Sequence, residues 1–464
     1  MRQFTNRTFD EIDVGATDTV VRTVTATDVE ALALAAGDVE TFHLDLTPGA
    51  VAEAATAPGV AAVALVAGVL NRRLPGPGSA IVGTQFRYAG KVRAGDTLTV
   101  VVTASAKNAA GQRIDFACSC TNQDDEVLVD GVATVSAPSV HIAYTNIATP
   151  EVVLRRNDGL ARLLQRCEGL APVVCAVVHP CDYESLMGAV ESARRGLIVP
   201  ILVGPEAKIR AAADLANIDL TPYQIIGTPH SHAAADHAVA MARAGVVEAL
   251  MKGSLHTDEL MEAVVPSATG LRTERRISHV FVMDVPAYPR TLMITDAAIN
   301  IAPDLACKAD ICQNAIDLAH VLGNPLPKVA ILSAAETVNP KIESTLHAAA
   351  LCKMADRGQI TGGILDGPLA FDNAVSPEAA RTKRIVSPVA GVADILLVPD
   401  LESGNMMAKQ LTYLAGADSA GIVLGTRVPI VLTSRADNVR TRLASTAVLK
   451  LVAHDRRAKL LPRE

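Results

Sequence analysis

Along the first third of the chain the apolar positions fall into two rhythms. Ile114, Phe116, Cys118 and Cys120 alternate with Asp115, Ala117, Ser119 and Thr121, which predicts a half-buried strand, and Thr97–Thr103 and Val127–Val135 read as further strands. Between Pro58 and about Arg72 the residues are apolar nearly all round, so this segment predicts a helix wrapped on most sides by other structure. An earlier, shorter helix is expected where Thr27 and Glu30 have the spacing of a capping box, ending near Gly37. One buried helix with an antiparallel sheet is the architecture this pattern implies for residues 1–145.

After Pro150 the rhythm changes to strand, helix, strand, helix. Val173–Val178, Ile198–Val203, Val247–Met251, Val329–Ser333 and Asp394–Val398 read as buried parallel strands. Helices are expected over Asp182–Arg195, His232–Ala244, Lys308–Leu322, Pro340–Arg357, Asn405–Leu414 and Asn438–His454. This predicts a two-lobed α/β domain over residues 150–464. Lobe 1 takes about 150–300 plus 435–464 and lobe 2 about 301–434, with a ligand cleft where strands end.

Composition narrows the functions. Tryptophan is absent and aromatics are 3% of the chain, so base-stacking platforms are missing and nucleic acid is not expected as a partner. The net charge of -7 has no long block of one sign. The eight cysteines form no Cys-x-x-Cys, which favours reduced thiols over a metal site; no metal is expected. The longest apolar run, Ala57–Leu70, falls short of the ~20 residues of a membrane span, and the N-terminus has no signal-peptide pattern, so a cytoplasmic protein with no membrane partner is expected.

In the first part, Asp38 and His43 stand five residues apart in a loop before the buried helix. Hydration of an enoyl thioester needs a base for water, a proton for the alpha carbon and a donor for the thioester oxygen. Asp38, His43 and backbone amides near Gly59 are the candidates. The stretch resembles the hydratase motif of the MaoC-like, hotdog-fold (R)-specific enoyl-CoA hydratases, Asp-x-Asn-Pro-x-His. Asp38 and His43 fall on its two catalytic positions; Glu40 and Thr41 replace its Asn and Pro, and Pro58 replaces a His common before the helix. The resemblance extends over about 1–145, through Phe86-Arg-Tyr-Ala-Gly90 and Val92-Arg-Ala-Gly-Asp96-Thr-Leu98, and implies an α+β hotdog domain.

In the second part six segments place polar residues where strands should end: Met251–Thr257, Gly270–His279, Thr295–Asn300, Leu365–Asp372, Pro399–Asn405 and Leu432–Asp437. Together they suit a cleft for an anion and a polar carrier. Lys252, Arg272, Arg275, Arg276, Asp296, Asn300, Asn405 and Lys409 are the candidate substrate-binding residues. Over about 150–464 the chain resembles the phosphate acetyl/butyryltransferase family. The resemblance is carried by Val329–Lys341, Ala355–Ile360, Leu365–Asn373, Ser387–Gly391 and Pro399–Lys409, which are closest to the butyryl branch. It implies a fold like that of isocitrate and isopropylmalate dehydrogenases, and no permanently bound cofactor. It also implies coenzyme A thioester, CoA, inorganic phosphate and acyl phosphate as substrates and products, and a homo-oligomer, dimeric or larger.

Ser434 and Arg435 match the family's Ser-Arg pair. The resemblance makes Arg435 the phosphate binder, its planar fork suited to the task, and Ser434 the oxyanion donor. Two positions differ: Glu262 stands where the family has Arg, and Thr441 where an acid is expected seven residues after Ser434. The base is therefore open. Asp437 is a candidate for it, and Arg272, Arg275 and Arg276 are candidates for the missing cation.

Overall fold

The computed structural model describes residues 3–37, 57, 60–145, 159–434 and 437–460. The chain divides into two compact units, 1–155 and 156–464.

In the first unit five antiparallel strands lie in the order Thr17–Thr23, Thr97–Asn108, Arg113–Thr121, Val127–Ser136, Ala80–Tyr88. Ile114, Phe116, Cys118 and Cys120 are buried, as their alternation requires. They meet Val66, Val69 and Leu70 of the helix Ala61–Arg72 in one core. The expected helix is present, but it buries one stripe: Ala64 and Gly68 stay exposed in this chain, so the expectation of burial on most sides is corrected. The earlier helix, Ala26–Ala36, starts at Thr25 and not at Thr27. Thr25 and Asp28 exchange the capping-box hydrogen bonds, and Gly37, at φ 70°, ends the helix with its N–H on Ala33 and Leu34 carbonyls.

Gly131 sits where the sheet is tightest: a Cβ there would come 2.1 Å from the Gln85 carbonyl and 2.8 Å from Phe86 Cα. Gly131→Ala is expected to cost about 1–3 kcal/mol by forcing the two strands apart. Thermal melting of the full chain checks the loss, with faster amide exchange over residues 80–88 as its local signature.

The second unit is built on one unbroken sheet of eleven strands, in the order Gln224–Gly227, Ile198–Gly204, Val173–Val178, Ala249–Lys252, Ile430–Val431, Asp418–Leu424, Ser278–Asp284, Leu292–Thr295, Ile395–Leu397, Lys328–Leu332, Ile364–Leu369. The first five are mutually parallel and so are the last four; three antiparallel pairings join the two sets. The strand Ile430–Val431 inserts beside Ala249–Lys252 within this sheet. The helix Val439–Leu460 packs on Asp418–Leu424 and on the helix Tyr183–Arg194. Helices cover both faces, as the near-continuous apolar strands demand.

Candidate active site

Lys252 ends the strand Ala249–Lys252, and the register Met251↔Val431 sets it level with the segment that leaves Ile430–Val431. Its side chain is 2% exposed, and Nζ donates to the Thr433 carbonyl at 3.2 Å. Ser434 follows, exposed. Its N–H donates to Asp437 Oδ2 at 2.7 Å, so the carboxylate closes the turn back onto the serine. Arg442, one turn into the last helix, fixes that turn from beneath: Nη1 donates to Thr433 Oγ1 (2.8 Å), Nη2 to the Ser434 carbonyl (3.1 Å) and Nε to the Asp437 carbonyl (3.3 Å). A guanidinium only 1% exposed needs space, and Gly188 gives it: a Cβ there would lie 2.6 Å from Arg442 Cδ.

The Asp437 carboxyl is pushed above the ordinary carboxylate value by burial. The Ser434 N–H and the cations of Arg442, Lys252 and Lys409 pull the other way. Lys409, exposed on the helix Leu401–Leu414, thereby joins the cluster electrostatically from a distant stretch of sequence. Among the described residues, Asp437 Oδ1 has no hydrogen-bond partner.

Asp296, Asn300 and Asn405 form a second group, at the end of Leu292–Thr295. Asp296, 2% exposed, accepts the N–H groups of Ala298, Ile299 and Asn300 and the Asn300 amide at 2.6 Å. Burial raises its carboxyl pKa. Asn300 also donates to the Ile277 carbonyl and Asn405 to that of Ala297. These contacts make the three side chains the scaffold of a turn that joins strand, loop and helix. The strands ending at Lys252 and at Thr295 run in opposite senses across the three antiparallel pairings, and their registers set Thr295, Val280, Ile422, Val431 and Met251 in one row across the sheet.

The three candidate arginines precede a strand instead of following one, and they diverge. Arg272 bridges Thr426 through its backbone; Arg275 pairs with Asp317; Arg276 donates its N–H to Asp310 and lies in the electrostatic surroundings of Cys307. All three are exposed. Asp38, His43, Gly59 and Arg435 lie outside the described residues.

Of the two divergent positions, Glu262 is 71% exposed beside His232, whereas Thr441 lines a cavity of about 350 Å³ with Arg440 and Asp418 and does not hydrogen-bond the Ser434 turn. Sequence reasoning passed over Arg442, and also His179, whose Nδ1 is 3.0 Å from Ser254 Oγ beside Lys252 and whose pKa burial lowers. The signal for Arg442 was faint: a single basic residue near the start of a helix ordinarily reads as solvated surface. Among the described residues no group of three or more His, Cys, Asp or Glu side chains is arranged to hold a metal ion, and no helix is long and apolar enough to cross a membrane.

The sequence pattern of a family described as "Phosphate acetyl/butaryl transferase" matches residues 229–449. Over 297 residues the chain is 67% identical to the phosphate acetyltransferase of Rhizobium meliloti, covering 64% of this chain and 94% of that protein. A solved branched-chain phosphotransacylase from Enterococcus faecalis V583 is 30% identical with a TM-score of 0.53, covering 60% of this chain and 99% of that one. An R-hydratase from Pseudomonas aeruginosa is 26% identical with a TM-score of 0.31, covering 33% of this chain and 99% of that one.

Proposed function

This chain belongs to the phosphate acetyl/butyryltransferase family, and on that premise we propose that the Lys252–Ser434–Asp437 cluster is where its second unit moves an acyl group between coenzyme A and phosphate. The observation that carries the assignment is the Ser434 turn, which brings a hydroxyl, a buried ammonium and a carboxylate of raised basicity to one strand end.

From acyl phosphate and CoA the steps run as follows. Asp437 takes the thiol proton through its unoccupied oxygen, and the sulfur bonds to the acyl carbonyl carbon. The tetrahedral oxyanion is held by the Ser434 hydroxyl and by the fixed charge of Lys252. The carbon–oxygen bond to phosphate then breaks, and phosphate departs along Arg435 carrying the proton from Asp437. A carboxyl whose pKa burial raises is a stronger base than a surface aspartate. Thr441 leaves no acid at the family's position. Asp437 supplies one a turn earlier, and of the four arginines named as candidates for phosphate, Arg435 is the one adjoining this turn.

The first unit is proposed to hydrate, or at least to bind, an enoyl-CoA, with Asp38 and His43 as its acid/base pair and amides near Gly59 holding the thioester oxygen. The reading rests on their spacing ahead of the helix Ala61–Arg72 and on that helix lying against the five-stranded sheet. A homo-oligomeric assembly accompanies the proposal on the strength of the family resemblance, and a cytoplasmic location on the absence of a signal-peptide pattern in the sequence.

Initial rates of CoA release from acetyl-CoA and butyryl-CoA, with and without phosphate, test the transferase reading: phosphate-dependent release from at least one is expected, and none from either would refute it. Loss of the enoyl absorbance of crotonyl-CoA, abolished in Asp38→Asn, is the corresponding result for the first unit. Hydration that survives unchanged in Asp38→Asn and His43→Ala would remove the assignment.

A further inference from the structure

Away from Ser434 a recess of about 680 Å³ opens between the helices Leu305–Val321 and Val439–Leu460 and the turn that follows Asp418–Leu424. Its charged lining sets Arg275, Arg427, Arg456 and Lys459 against Glu274, Asp317 and Asp455. Two of these cations are neutralised in place, Arg275 by Asp317 and Lys459 by Asp455.

Arg456 is not. It is half-buried, its Nη1 donates to the Arg427 carbonyl at 2.8 Å, and among the described residues no carboxylate lies within ion-pair distance of it. A guanidinium carries five N–H donors, and among the described residues the Arg427 carbonyl is the one acceptor that Arg456, which lines the recess, meets. Burial pulls its pKa down, opposed only by the charge of Asp455. A cation held below the surface without a counter-charge is unfavourable unless an anion completes it. Arg427, whose carbonyl takes that hydrogen bond, is exposed, and among the described residues its own guanidinium has no acceptor either.

The surrounding backbone is already fixed. The Arg427 N–H donates to the Leu271 carbonyl, Thr426 Oγ1 to that of Val428 and Thr273 Oγ1 to that of Gly425. The recess is therefore preformed, and its volume falls within the ~300–1,000 Å³ of small-molecule sites.

We propose that this recess is a second anion site, separate from the Ser434 cluster, and that it takes a small molecule bearing a phosphoryl group. Two guanidinium-bearing residues lining one recess match the several oxygens and double charge of a phosphoryl group, whereas a single carboxylate would leave one fork unmatched. Glu274, which also lines the recess, selects against ligands that extend further negative charge in its direction.

Calorimetric titration of the full chain with pyrophosphate as the probe tests this. In Arg435→Ala, which removes the proposed catalytic phosphate contact, one binding event is expected to remain. Adding Arg427→Ala or Arg456→Met is expected to weaken that event at least ten-fold. Arg427 is exposed, so its variant keeps the test open should Arg456→Met fold poorly. The proposal is overturned if Arg435→Ala alone abolishes all pyrophosphate binding, or if Arg427→Ala leaves the remaining event unchanged.

Discussion

Replacing Asp437 by Asn is expected to lower kcat for acyl transfer from acyl phosphate to CoA by about 10²–10⁴-fold, the range a positioned general base contributes, with KM for acyl phosphate within a few-fold of wild type. The amide oxygen of Asn still accepts the Ser434 N–H that Asp437 Oδ2 now takes at 2.7 Å, so the turn persists while the proton acceptor is lost. The stability consequence has the opposite sign. Burial raises the folded pKa of Asp437 above the ordinary value of 3.8. Its contribution is therefore fully favourable only below that ordinary value, and is lost as pH rises through the folded pKa. At neutral pH the Asn variant should melt no lower than wild type. Stopped-flow thiol consumption and a melting curve on the same preparation separate the effects: slow and stable is expected, whereas an unstable variant would mean that the carboxylate is structural. The same shift predicts that the acidic limb of the wild-type kcat/KM profile lies above the usual carboxylate range, and that this limb is absent from the residual activity of the Asn variant.

Arg442→Met is expected to do the reverse, destabilising first and slowing the enzyme as a consequence. Three hydrogen bonds to Thr433, Ser434 and Asp437 vanish together, and methionine satisfies none of the acceptors left behind. Unsatisfied buried polar groups of this kind cost about 2–4 kcal/mol in sum. For a unit of this size that is a fall in Tm of about 3–6 °C. The residual activity should show a raised KM for phosphate, because the turn that bears Ser434 and leads into Arg435 loses its support. Differential scanning calorimetry with steady-state kinetics measures both. An unchanged Tm would show that Arg442 does not brace the turn.

The parts of the fold that were legible in the sequence are those where burial imposes a period. Ile114 to Cys120 announced one face of a strand by alternation, and Val173–Val178 announced a strand buried on both faces by being continuously apolar; both lie where expected. Choices between equivalent local signals were not legible. Thr25 with Asp28 and Thr27 with Glu30 have the same spacing, and only the backbone at Thr25, extended at φ -88° and ψ 161°, decides which caps the helix. Strand direction was hidden for a similar reason: a short apolar run such as Ser278–Asp284 reads the same in either sense, so the reversal within the eleven-stranded sheet had no signature. In the site, Ser434 and Lys252 were visible because polar residues ending apolar strands stand out. Arg442 was not, since its burial depends on the missing side chain of Gly188 more than two hundred residues away.

The most direct test of the account is phosphate-dependent release of CoA from acetyl-CoA by the wild-type chain beside a Ser434→Ala/Asp437→Asn double variant of equal melting temperature. Turnover in the wild type and a fall of at least about 10³-fold in the double variant is the predicted result; equal rates in the two proteins would contradict the assignment of acyl transfer to the Ser434 turn.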